Sequence, residues 1–100
     1  MVLIITLTIN PAIDRNVQVD RLVFEDRAYI LSRSDSPGGR GIIASSVLSS
    51  FGLKTLAILT SGGVHGEHFE KLLAKSGFPV EVVRISADIR TNFTIMDKHG

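Results

Sequence analysis

A chain of 100 residues can close one small hydrophobic core and has no room for a two-lobed enzyme. Its 44% hydrophobic and 21% charged residues are those of an ordinary folded chain, and eleven basic against ten acidic side chains, spread without a run of one sign, argue against nucleic acid or an anionic membrane as the main partner. The absence of cysteine excludes a disulfide framework and thiolate metal sites, and residues 1–9, though apolar, have neither a basic leader nor the length of a bilayer span, so the expectation is a cytoplasmic protein.

Residues 2–9 are a β-branched apolar run without polar alternation, which predicts a central strand buried on both faces. Asn10-Pro11 ends it. Residues 16–20 alternate apolar and polar positions, as residues 28–32 do less cleanly, and both read as short strands with one wet face in a separate layer. Ser36-Pro37-Gly38-Gly39 reads as a turn, after which Ala44, Val47, Leu48 and Phe51 recur at helical spacing and Gly52 caps the helix. Residues 55–60 predict a second buried strand and Ser61-Gly62-Gly63 a turn. Phe69, Leu72 and Leu73 mark a helix ending near Ser76 and Gly77, and residues 80–85 are a third strand. Strands and helices alternating at these lengths predict crossover connections and a parallel sheet of the α/β class. Residues 91–97 alternate again, and Lys98-His99-Gly100 reads as the start of a hairpin turn. A strand left without a partner exposes a hydrogen-bonding edge, so this pattern predicts a chain that continues beyond Gly100.

Three groups of residues could carry chemistry. Asp14 follows the first strand in Asn10-Pro11-Ala12-Ile13-Asp14, at the end of the sheet where ligands of open α/β folds bind, and a carboxylate there can accept from two sugar hydroxyls. An aspartate that only caps its own turn fits the same residues. Pro37-Gly38-Gly39-Arg40-Gly41 leads into a helix. Gly38 and Gly39 let a ligand approach the backbone, the first-turn N–H groups lack helical partners, and Arg40 can fork onto a phosphate. The spacing is neither a dinucleotide fingerprint nor a P-loop, and a loop that merely turns the chain is an equal reading. Arg90 and Asn92, two apart on a strand, share a face and suit a phosphate and a hydroxyl, or else an ordinary solvated edge. His65 and His68 have helical spacing but no third ligand in sequence reach, and read as a solvated helix face.

Taken in order, residues 6–14, Pro37-Gly38-Gly39-Arg40-Gly41-Ile42, Gly62-Gly63-Val64-His65-Gly66-Glu67-His68 and Arg90-Thr91-Asn92 resemble the successive N-terminal motifs of the phosphofructokinase B branch of the ribokinase-like sugar kinases. The resemblance covers the whole chain. It implies the N-terminal part of a three-layer α/β/α fold with a largely parallel sheet, core elements at roughly 1–10 and 37–85, and strands of a small β lid at roughly 14–35 and 88–100. It implies ATP-dependent, Mg²⁺-assisted phosphorylation of a sugar phosphate of the fructose 1-phosphate, fructose 6-phosphate or tagatose 6-phosphate class. Asp14 would bind sugar hydroxyls, Gly38 and Gly39 would line the sugar, Arg90 would hold its phosphate with Asn92 in support, Arg40 would tolerate a phosphate, and Arg27 on the lid is a further phosphate candidate. The catalytic base of such enzymes lies in a Gly-rich segment absent from these 100 residues, so no catalytic residue is assigned and the chain alone is expected to be inactive. The expected partners are a phosphorylated ketose and a second subunit joined through the lid. The sequence departs from the family at Ile43, where an Asn that touches the sugar is usual. A non-catalytic sugar-phosphate module is the alternative, and a doubly wound redox domain is disfavoured by the missing glycine fingerprint.

Overall fold

The computed structural model describes residues 2–22 and 27–97. The hairpin turn expected at Lys98-His99-Gly100 lies outside the described residues. Eight elements follow in order: β1 (Leu3–Thr8), β2 (Ala12–Val19), β3 (Ile30–Gly38), α1 (Arg40–Ser50), β4 (Lys54–Ser61), α2 (Gly66–Ala74), β5 (Val80–Arg84) and β6 (Arg90–Asp97). They form two three-stranded sheets, ordered β1-β4-β5 and β3-β2-β6.

The first sheet is wholly parallel, with Thr6 opposite Ala57 and Ala57 opposite Val80. Parallel neighbours need a crossover, and α2 supplies it between β4 and β5. Alternation along β4 buries Thr55, Ala57, Leu59 and Ser61 on the face that carries the helices. There Ala57 and Leu59 meet Ile42 of α1, Phe69 and Leu73 of α2, Phe78, and two residues at the base of the second sheet, Ile13 and Ile89. A bond of 2.7 Å between the Thr6 and Ser45 hydroxyls pins α1 to β1. Helix α1 closes as its sequence predicts: Gly52 N–H donates to the Ser49 carbonyl and Leu53 N–H to that of Leu48, the paired bonds of a Schellman cap.

The structure departs from the sequence reading in four places. First, β1 is an edge strand, and Leu3, Ile5, Leu7 and Ile9 on its other face are 52–74% exposed, because among the described residues the helices cover one side of the sheet. Second, Ser36, Pro37 and Gly38 are not a turn but the end of β3. Proline is tolerated there because β3 is an edge strand, whose outward side needs no N–H donor. Third, β2 begins at Ala12, so Asp14 is a strand residue rather than a turn residue, and α1 begins at Arg40, before its first apolar repeat. Fourth, β6 does have a partner, since it pairs in parallel with β2 from Ala12↔Arg90 to Val19↔Asp97. A strand about 80 residues away cannot be found by looking for a hairpin.

Phe69 has no exposed surface and sits where both helices meet the first sheet. Phe69→Ala should cost about 3–5 kcal/mol through lost burial and the cavity left behind, measured as a fall in the denaturation midpoint of the protein at unchanged slope.

Candidate functional site

Strand β2 lies in the middle of the second sheet, so pairing on both of its edges decides what Asp14 meets. The antiparallel register sets Asp14 opposite Ser36, and the parallel register sets it opposite Asn92. Alternation sends these three side chains to one face and Arg15, Asp35 and Phe93 to the other.

On the first face the polar groups form a relay. Asn92 Nδ2 donates to Asp14 Oδ1 at 3.1 Å. Arg90 Nη1 donates to Asn92 Oδ1 at 3.4 Å, and its Nη2 donates to the Asn10 carbonyl at 3.2 Å. Asn10 belongs to the link between β1 and β2, and Thr60 Oγ1 ties that link to the first sheet by donating to the Ile9 carbonyl at 3.1 Å. Asn92 thereby links the Arg90 guanidinium to the Asp14 carboxylate, 76 positions earlier in the sequence.

Gly38 completes the group. A Cβ at Gly38 would collide with the Asp14 carboxylate, its Cγ 2.5 Å away, so no larger residue fits while Asp14 keeps this position. Gly39 next to it has φ +139°, which L side chains rarely adopt, and serves as the N-cap of α1 without any side-chain bond to the helix end. The first-turn N–H groups of α1 are therefore uncapped by any side chain and lie one residue beyond the Asp14 contact. Their dipole favours an anion or a polar oxygen.

The structure thus brings together Asp14, Gly38, Gly39, Arg90 and Asn92. Arg40 opens α1 beside the glycines with an exposed side chain. Arg27 is not among them. It precedes β3 at the end of the β2–β3 ladder where Val19 meets Ile30, whereas Gly38 lies at the other end opposite Ala12, about 20–25 Å away at strand rise. Ile43 is 54% exposed and lines a cavity of about 300 Å³ with Ser36, Pro37 and Phe78. A larger cavity of about 570 Å³, between Gly62, Gly63, Glu70 and Arg84, includes none of the five. The five lie on an open surface.

Two residues set aside in the sequence prove to be tethers. His65 donates its N–H to Asp88 Oδ1 at 2.8 Å, and its Nδ1 lies 2.7 Å from Asp88 Oδ2. That fixes the start of α2 to the segment that leads, two residues later, to Arg90. The backbone N–H of His65, then its ring, hold the Asp88 carboxyl below its usual range. His68 Nε2 lies 2.9 Å from Asp35 Oδ2, joining α2 to β3. Their partners are 23 and 33 positions away, a separation that leaves no local pattern. Among the described residues no group of three acidic, histidine or cysteine side chains could hold a metal ion.

No family model matches the chain. It is 34% identical over 92 residues to the ATP-dependent 6-phosphofructokinase isozyme 2 of Mycobacterium tuberculosis, which covers 92% of the chain and 27% of that protein. It is 32% identical over 93 residues to the 1-phosphofructokinase of Xanthomonas campestris, covering 93% of the chain and 29% of that protein. The fold matches the crystal structure of Escherichia coli phosphofructokinase-2 in complex with fructose-6-phosphate with a TM-score of 0.89 at 30% identity, over 99% of the chain and 33% of that protein. The chain spans a little under a third of the length of the curated relatives it matches.

On the opposite face of the sheet Asp35 is bonded to Arg15, Arg33 and His68. The Arg15 guanidinium, then His68 and Arg33, hold the Asp35 carboxyl well below the usual carboxylate range. A depressed value in the folded state gives stability that is present above the unfolded value of about 4 and is lost as pH falls below it. Asp35→Asn should therefore flatten the acid limb of melting temperature against pH below about pH 4.

Proposed function

Because the chain belongs, in sequence and in fold, to the phosphofructokinase B branch of the ribokinase-like sugar kinases, we propose that its parent protein transfers the γ-phosphoryl group of ATP to a hydroxyl of a phosphorylated ketose. Fructose 6-phosphate, fructose 1-phosphate and tagatose 6-phosphate define the substrate class. In the reaction a new P–O bond forms to the sugar hydroxyl, the bond from phosphorus to the ADP oxygen breaks, and the hydroxyl proton leaves to a base. These residues serve the acceptor side of that exchange.

The observation that carries the reading is the convergence of Asp14, Gly38 and Arg90, distant in sequence, on one open face. Asp14 is an acceptor-only group suited to two vicinal hydroxyls. Gly38 leaves room for the Asp14 carboxylate to lie against the backbone just ahead of α1. Arg90 offers a planar fork to the phosphate already on the sugar, and Asn92 holds the fork and the carboxylate at a fixed spacing. Such pre-set polar groups raise the rate by orienting the acceptor hydroxyl rather than by reacting with it. Among the described residues no group of three acidic, histidine or cysteine side chains could hold a metal ion, and in this reading other parts of the parent protein supply ATP, Mg²⁺ and the base.

The second sheet serves, in this reading, as a lid whose outer face and open edges pair with a second subunit. Phe93 and Ile95 on that face are 62% and 53% exposed. Arg27, at the far end of the sheet, has no part in the sugar site of its own chain. Ile43, in the first turns of α1, stands where a hydrogen-bonding amide is usual in the family, so either the substrate differs or activity is weakened.

The test is kinetic and uses the full-length protein. Arg90→Ala should raise the KM for the sugar phosphate at least tenfold, as expected when a charge-assisted fork of about 1.5–3 kcal/mol is lost. Asp14→Asn should lower kcat/KM for the sugar by a similar factor or more, while the KM for ATP stays within about twofold for both. A protein whose melting temperature ignores all three ketose phosphates would refute the reading.

A further inference from the structure

The face of the second sheet opposite Asp14 carries a row of residues that the sugar site itself does not use. Arg15 Nε and Nη2 donate to Asp35 Oδ1 and Oδ2 at 2.9 and 3.0 Å, a two-bond fork across the β2–β3 pair. The Arg15 guanidinium also lies 5.6 Å from the centre of the Phe93 ring on β6. One side chain therefore links all three strands. Asp35 receives two more contacts, from Arg33 Nη2 at 3.1 Å and from His68 of α2 at 2.9 Å, and only 9% of its side chain remains exposed.

The residues paired here are Asp35, Arg15 and Phe93, and each stands next in sequence to one of Ser36, Asp14 and Asn92. Because side chains alternate faces, the outer row is the back of the inner one. Whatever fixes Arg15 against Asp35 and Phe93 also fixes the backbone from which Asp14 and Asn92 project. His68 then relates that backbone to α2, which packs through Phe69 and Leu73 on the same core as Ile42 of α1.

We propose that Asp35 and His68 are positioning residues for the acceptor site: their contact sets the tilt of the second sheet on the core, and with it the spacing between Asp14 and Asn92 on the sheet and the uncapped start of α1 on the core. This rests on the sugar-phosphate reading above. The His68 side chain is 45% exposed and Asp35 keeps Arg15 and Arg33 as partners without it, so loss of the imidazole falls on geometry more than on global stability. A displacement on the order of 1 Å in a binding group far from the reacting bond is enough to lower activity about a hundredfold.

The test compares full-length Asp35→Asn, His68→Ala and the double variant with Asp14→Asn, using whichever of fructose 6-phosphate, fructose 1-phosphate and tagatose 6-phosphate the unaltered protein phosphorylates. The expected result is a KM for that sugar raised about tenfold in each single variant, a KM for ATP within about twofold, and a double variant no worse than the poorer single one, because both remove the same contact. Asp35→Glu should recover part of the loss. A purely structural role would lower the active fraction, and so the apparent kcat, without moving KM. Unchanged KM in His68→Ala, which alters a side chain 45% exposed and spares the fold, overturns the proposal even if Asp35→Asn fails to fold. If Asp14→Asn raises KM while those two do not, positioning alone is wrong. If Asp14→Asn is also silent, the sugar-phosphate reading falls and this inference falls with it.

Discussion

Strand β2 is hydrogen-bonded along both edges, and the rest of the site follows from that double pairing. A middle strand cannot slip by one residue without turning its whole side-chain set to the other face. Here such a slip would put Arg15 where Asp14 belongs and bury a guanidinium's neighbours against Gly38. The register is specified strongly because Ile13, Val17 and Val19 on one face are buried while Asn16 and Gln18 on the other are not. Hydrophobic burial thus fixes which face carries the polar relay, although none of the relay residues is apolar.

The second constraint is how this sheet is mounted. Ile13 and Ile89 enter the main core at the base of the sheet, so its root is held by burial. Farther out the mounting is polar: His68 to Asp35, and His65 to Asp88 just ahead of β6. Burial thus holds the root of the sheet, and polar contacts tie it to α2 farther out. Apolar packing loses free energy steeply when surfaces separate, whereas exposed hydrogen bonds exchange with water at small net cost.

Much of the chain was legible in advance where a local pattern has one physical cause. The apolar runs at β1 and β4, the repeat of α2 and the Gly52 cap are each determined within a few residues. The readings that failed depended on distant neighbours. Residues 36–38 have turn composition, yet an edge position beside β2 makes them a strand. Residues 2–9 look buried on both faces, yet their burial depends on what lies across the sheet, and among the described residues one face is open.

The candidate site divides in the same way. Composition and spacing by themselves determined that an aspartate follows the first apolar strand, that two glycines precede a helix, and that an arginine and an asparagine share a strand face, since each is a property of adjacent residues. Only the tertiary structure decided that these meet, that Arg27 stands apart from them, and that His65 and His68, though half exposed, meet carboxylates. Such contacts join positions 23 to 80 apart. Their geometry is set by sheet register and core packing, which belong to the whole chain and leave no trace in any short stretch of it.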